Sequence, residues 1–313
     1  MKRVAFVFPG QGSQEVGMGK ALYETYDEVK DLFEQADEEL EVPLTKLMFD
    51  GPQDELTKTE HAQPALLINS AAIVSLLEKE GIEPVMTAGH SLGEYSALVA
   101  SKALKPLEAA ALVHKRGQLM EHAYPTGKGA MAAVLGLDQD AIQNVLEGMK
   151  DDEVVDLANI NCPGQIVISG SKEGVDQASE QLKEAGAKRV LPLNVSGPFH
   201  SRLMKPASED FSEALKNADL SDASIPVYAN VTAEPVTDKQ MIEELLIEQL
   251  YSPVRFQQIL EKFVEQDIDA IVEVGHGKVL SGLVRKVKRR MKTFQIQDPE
   301  TLQAFIEWYK EDS

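Results

Sequence analysis

A chain of 313 residues with 43% hydrophobic and 26% charged content has the composition of an ordinary globular protein, long enough for a large core or two domains, and this argues against disorder. Asp and Glu number 51 against 31 Lys and Arg, and the net charge of −20 argues against nucleic acid as a general partner because phosphates are repelled. The single cysteine, Cys162, excludes an internal disulfide; no His/Cys cluster has metal-ligand spacing, and no apolar run suits a leader or a membrane span, so a cytoplasmic protein is expected.

The first element, Val4 to Phe8, is a continuous apolar run of the kind that forms a strand buried on both faces in a parallel sheet. Pro9-Gly10-Gln11-Gly12-Ser13-Gln14 follows. Glu15 stands where a dinucleotide-binding loop needs its last glycine and no Walker lysine follows, so the loop reads either as a glycine-rich turn or as the source of an oxyanion-hole N–H at Gln11. Leu22, Tyr26, Val29, Phe33, Ala36 and Leu40 recur at helical steps, and Pro64 is expected to open another helix running to about Lys79.

Val85 to Ser96 contains Gly89-His90-Ser91-Leu92-Gly93, a G-x-S-x-G motif between an apolar strand and an apolar helix. In that setting the serine sits on a sharp turn, the flanking glycines remove side chains that would block the bend, and the Leu92 N–H is free to face an oxyanion. Pro106 then starts a helix with an apolar stripe of Ala109, Leu112, Val113, Leu119, Met120 and Ala123, in whose middle falls Arg116. A cation on a buried face is costly unless an anion meets it, so Arg116 reads either as half of a structural ion pair or as a bidentate clamp for a substrate carboxylate.

From about Lys128 the pattern becomes β-α-β-β-α-β: strands at Ala130 to Leu135, Val154 to Ala158, Gln165 to Ser169 and Arg189 to Val195, with helices at Asp138 to Met149 and Lys172 to Ala185. This is the split ferredoxin-like unit, read as a small domain over residues 128–195 inserted into an α/β domain formed by 1–127 and 196–313. The remainder predicts a helix from His200 to Ala218, a strand at Pro226 to Asn230, helices at Asp238 to Leu250 and Pro253 to Gln266, a strand at Ala270 to Val274 and a last helical stretch. The fold class is therefore α/β, with a hydrolase-like parallel sheet, helices on both faces and the inserted module.

A nucleophilic serine needs a base. Of six histidines, His200 is the best placed, in the turn Ser196-Gly197-Pro198-Phe199-His200-Ser201 at the domain junction, where a helix start should favour the neutral imidazole. His90 adjoins Ser91 in sequence but points elsewhere around the turn, and is read as support for the elbow.

Taken together, Phe8-Pro9-Gly10-Gln11-Gly12-Ser13-Gln14, Gln63-Pro64-Ala65, Gly89 to Tyr95, Arg116-Gly117, Asn161-Cys162-Pro163-Gly164-Gln165 and Gly197 to Ser201 resemble the malonyl-CoA:acyl carrier protein transacylases of fatty acid synthesis, in order from Val4 to about Leu283. The resemblance implies Ser91 as nucleophile, His200 as base, and Gln249 as the residue whose main-chain carbonyl orients the imidazole. It implies Gln11 and Leu92 as oxyanion donors, Arg116 as the malonyl clamp, and Gln63, Met120, Asn161 and Phe199 as pocket lining.

It further implies malonyl-CoA as substrate, the phosphopantetheine of acyl carrier protein as acceptor and no permanently bound cofactor, and a monomer is expected. The carrier protein is acidic, so a basic patch must offset the charge of this chain. Arg285 to Arg290, or Lys188, Arg189, Arg202 and Lys205, are the candidates. One departure is visible at Gly275-His276-Gly277, where many members carry proline in place of His276. Other readings share parts of this pattern: a serine esterase or thioesterase, which has no use for Arg116; a related acyltransferase serving a polyketide pathway; and a non-catalytic thioester-binding subunit, which has no use for Ser91 and His200.

Overall fold

The computed structural model describes residues 2–150 and 153–311. Its strands are β1 (Val4–Phe8), β2 (Met86–Gly89), β3 (Gly129–Leu135), β4 (Val155–Cys162), β5 (Gln165–Ser171), β6 (Arg189–Pro192), β7 (Val227–Tyr228), β8 (Pro235–Val236), β9 (Ala270–Val274) and β10 (Thr293–Ile296). They form two sheets. The larger has the order β10-β9-β1-β2-β7-β8, parallel throughout except for the short antiparallel edge strand β8.

The continuous apolar run of β1 is explained by burial on both sides of that sheet. Val4, Phe6 and Phe8 pack into a core shared with helices Asp27–Leu40, Thr59–Lys79 and Pro106–His122, while Ala5 and Val7 face a second core against helices Phe256–Glu265 and Val279–Val287. All five residues of β1 are at most 1% exposed. The sheet is thus the middle of three layers, and the carboxyl ends of β1 and β2 point the loops after Phe8 and Gly89 to one edge.

The smaller sheet has the order β4-β5-β3-β6 with every pairing antiparallel, and helices Gln139–Glu147 and Lys172–Glu184 close over a core of its own. This is the expected ferredoxin-like arrangement. A parallel bridge, Asn159 to Val254, joins it to the segment before helix Phe256–Glu265.

Several local expectations change, among them the strand expected at Arg189 to Val195, which ends at Pro192. Helix Thr59–Lys79 begins five residues before Pro64, which lies inside it. The proline cannot donate to the carbonyl of Glu60, but His114 Nδ1 takes that place at 2.8 Å, so the helix is not broken. Gly117 on the neighbouring helix allows the two helices to cross there, since a Cβ on it would lie 2.7 Å from Glu60 Cα.

The stretch after His200 is a short 3₁₀ turn, Arg202–Met204, and the α-helix proper spans Ala207–Lys216. The strand placed at Pro226 to Asn230 shortens to β7. The chain end is not one helical stretch but a helix, the edge strand β10 and helix Pro299–Lys310, the last capped by Asp298, whose carboxylate accepts from Thr301 N at 2.8 Å. No described helix is long and apolar enough to cross a membrane.

Candidate active site

The elbow is built by contact rather than by side-chain chemistry. A Cβ on Gly89 would come within 1.9 Å of the Gly93 backbone, and one on Gly93 within 2.1 Å of Phe8 O, so strand end, turn and helix start can close only with glycine at both places. Between them Ser91 takes left-handed backbone at φ 51°, a strained conformation for a residue with a side chain.

Asn230 holds the turn from the end of β7. Its Oδ1 accepts from Ser91 N at 2.7 Å and its Nδ2 donates to Gly89 O at 2.6 Å, while its own N–H reaches Glu94 Oε2 at 3.0 Å.

Ser91 Oγ lies 2.8 Å from His200 Nε2, and His200 Nδ1 lies 2.8 Å from the main-chain oxygen of Gln249. A carbonyl can only accept, so Nδ1 carries the proton and Nε2 presents its lone pair to the serine hydroxyl. His200 is 4% exposed, and burial together with the Arg116 charge pushes its imidazole down to about 3. Neutrality thus comes from desolvation and a nearby cation, not from the expected helix start.

Arg116 is fully buried. It donates from Nη1 to Gln63 Oε1 at 2.8 Å and from Nη2 to Ser91 Oγ at 3.1 Å and Gln249 Oε1 at 2.9 Å, and its guanidinium carbon stands 5.3 Å from the centre of the Tyr95 ring. Among the described residues no carboxylate pairs with it, and its Nε has no acceptor. A direct structural ion pair, one of the two sequence readings of Arg116, is therefore absent among the described residues.

A cavity of about 340 Å³ opens over Ser91. Gln11, Gln63, Leu92, Met120, Phe199 and His200 all line it, with Met131, Asn159 and Leu193 to Val195 forming the wall on the side of the smaller sheet. Gln63 Nε2 also contacts Met120 Sδ at 3.6 Å. The N–H groups of Gln11 and Leu92 make no hydrogen bond to any described residue, which leaves two donors available at the cavity.

Two expected positions differ. Arg116 is not part of the cavity wall; it is set back from it, donating to Ser91 and Gln63, which line the cavity. Asn161 is also set back: its Oδ1 holds His90 Nε2 at 2.8 Å, and Asn159, two residues earlier on β4, lines the cavity in its stead. His90 acts as the expected support, tilted against Phe256 with ring centres 5.3 Å apart. At the departure point, His276 Nε2 lies 3.4 Å from Glu15 Oε2 on an exposed edge, away from Ser91.

Sequence reasoning passed over Asn230 and Glu94. Each carried a signal: Asn230 is a buried amide directly after the apolar β7, and Glu94 is an acidic residue in a helix whose every residue is buried.

Residues 5–301 match the acyl transferase domain family. Over 314 aligned residues the chain is 54% identical to the malonyl CoA-acyl carrier protein transacylase of Bacillus subtilis (strain 168), covering 100% of this chain and 99% of that one. It is 46% identical to the protein of the same name from Staphylococcus aureus (strain MW2), over 98% of this chain and 99% of that one.

Its fold superimposes on an acyl carrier protein S-malonyltransferase from Vibrio cholerae with a TM-score of 0.94 and 44% identity, covering 97% and 99% of the two chains. A malonyl-transacylase solved in complex with a type II polyketide acyl carrier protein gives a TM-score of 0.95 at 39% identity, over 97% and 99%. The chain belongs to the acyl transferase family and, within it, to the malonyl-CoA:acyl carrier protein transacylases.

Proposed function

We propose that this protein moves a malonyl group from malonyl-CoA to the phosphopantetheine thiol of acyl carrier protein in two half-reactions through a malonyl ester on Ser91, supplying fatty acid synthesis in the cytoplasm as a monomer without a resident cofactor. The observation that carries this reading is the buried Arg116 guanidinium 3.1 Å from the Ser91 hydroxyl, with its Nε–H still without an acceptor among the described residues. A simple esterase needs no such cation behind its nucleophile. A substrate whose acyl chain ends in a carboxylate does.

His200 Nε2 takes the proton as Ser91 Oγ attacks the thioester carbonyl. The oxyanion is received by the N–H groups of Gln11 and Leu92. Collapse breaks the carbon–sulfur bond, and the proton held on His200 passes to the departing coenzyme A sulfur. In the second half the carrier thiol enters by the same cavity, loses its proton to His200 and attacks the ester, which returns the proton to Ser91.

Residues 1–127 and 196–313 supply the reacting groups, and 128–195 supply the opposite wall of the cavity. Arg116 fixes the distal carboxylate so that the ester carbonyl meets a thiol rather than a water. For the acidic carrier, the run Arg285 to Arg290 is favoured over the patch containing Arg202, because Arg202 grips Asp156 at 2.6 Å.

The test is intact-protein mass spectrometry after brief mixing with malonyl-CoA, then with holo acyl carrier protein. A malonyl adduct on the Ser91 peptide that chases onto the carrier supports the reading. An adduct lost to water equally fast without the carrier points to a thioesterase.

A further inference from the structure

A buried guanidinium needs a compensating anion, and the contacts of Arg116 lead to one at a single remove. Arg116 Nη2 donates to Gln249 Oε1 at 2.9 Å, and Nε2 of the same amide donates to Glu94 Oε2 at 2.8 Å. One amide dipole therefore joins a cation to a carboxylate and is aligned favourably with both. Glu94 is 3% exposed and sits in the first turn of helix Gly93–Ala100, with Asn230 N donating to the same oxygen at 3.0 Å. It does not line the cavity, and the acyl transfer described above gives it no task.

We infer that Glu94 is the resident counter-ion of Arg116 and binds a proton when a malonyl carboxylate takes over that role. The inference rests on the malonyl reading of the site. Empty, the pocket holds one cation and one carboxylate. A malonyl carboxylate, ionised at neutral pH, brings a second anion into a region closed to water, and a proton from solvent on Glu94 restores the balance without any other bond changing.

Burial raises the Glu94 carboxyl to about 7, against the opposing pull of Asn230 N–H, the Gln249 amide and Arg116. The groups around it do not change charge near neutrality. His200 and His90 are pushed down by burial, Tyr95 is pushed up by burial, and Arg116 stays cationic despite the desolvation that lowers it. Strands β1 and β2 carry no titratable side chain, β7 carries only Tyr228, itself pushed up by burial, and the titratable residues of helix Thr59–Lys79 lie at its ends. Of those on helix Pro106–His122, only Arg116 is buried.

The test is calorimetric titration of Ser91→Ala, which cannot be acylated, with malonyl-CoA or acetyl-CoA in two buffers of different ionisation enthalpy. At pH 8 malonyl-CoA should take up about 0.9 proton and acetyl-CoA none, and malonyl-CoA affinity should fall about five-fold from pH 7 to pH 8. In Ser91→Ala/Glu94→Gln both the uptake and the pH dependence should vanish. Uptake that survives Glu94→Gln would assign the proton to His200 and overturn the inference.

Should the double variant fail to fold, the two thioesters on Ser91→Ala decide alone: no uptake, or equal uptake with both, overturns it. Malonyl-CoA binding no tighter than acetyl-CoA at either pH would instead bring down the malonyl reading, and the inference with it.

Discussion

Ser91 Oγ and His200 Nε2 meet at 2.8 Å from two residues that both hold left-handed backbone, φ 51° and 60°. Each such conformation costs on the order of 1 kcal/mol or more and persists only where the surroundings over-determine it. Here they do: Asn230 and the glycine contacts fix Ser91, and the carbonyl of Gln249 fixes the His200 ring. In the proposed mechanism the two groups act in one proton transfer, so losing either removes the same step. Ser91→Ala and His200→Ala should each lower malonyl transfer at least about 10³-fold, and the double variant should fall no further. Steady-state rates with malonyl-CoA and holo carrier protein check this, and multiplicative losses would show that the two residues act separately.

In the proposed mechanism Arg116 is what separates a malonyl-selective enzyme from a general acyltransferase. Arg116→Ala should reduce malonyl transfer by about 10²- to 10³-fold, the worth of a desolvated bidentate ion pair, while acetyl transfer holds or rises. Arg116→Lys keeps the charge but cannot serve Gln63, Gln249 and a carboxylate at once, so it should recover only part of the loss. Competition between the two thioesters, read by mass spectrometry of the acyl-enzyme, gives the selectivity directly.

What could be read in the chain depended on whether the signal was local. The apolar run of β1, the elbow around Ser91, each strand and helix period of the inserted unit and the misplaced charge of Arg116 are local patterns, and the structure has each of them. Asn230 and Glu94 work through contacts 136 to 155 residues apart in sequence, and no local period announces such partners. Gln249 stood out only through the family resemblance. The start of the helix containing Pro64 was missed for the same reason: the group that rescues its freed carbonyl, His114, lies on another helix.

Burial of His200 sets a pH dependence with a definite sign. Its folded-state imidazole is lowered to about 3 from an ordinary 6.5, so between those values the unfolded chain binds the proton and the folded protein does not. Stability from this group is full above pH 6.5 and is lost as pH falls toward 3. Glu94 has the opposite slope between 4.5 and about 7, its folded form holding the proton, and it must be cancelled by comparison. The stability difference between wild type and His200→Gln should therefore move against wild type by about 1.4 kcal/mol per pH unit below 6.5. Urea unfolding at pH 7, 6 and 5 measures it, and a flat difference would mean that the imidazole is protonated in the fold.

Two glycines test whether close approach, rather than glycine as such, holds the elbow. In Gly93→Ala the new methyl would lie 2.1 Å from the carbonyl oxygen of Phe8, which is backbone in the central strand and cannot move without breaking the pairing of β1 with β2 and β9. That substitution should cost at least about 3 kcal/mol and displace Ser91. Gly282 is the opposite case. It is exposed inside helix Val279–Val287, has no atom within 4 Å of its would-be Cβ, and takes no positive φ. Alanine there narrows the unfolded ensemble and suits the helix, so Gly282→Ala should stabilise the protein by about 0.5 to 1 kcal/mol and leave malonyl loading of Ser91 unchanged. Thermal unfolding of the two variants beside wild type should move in opposite directions; a Gly93→Ala protein as stable as wild type would show that the elbow can be reached by another path of the chain.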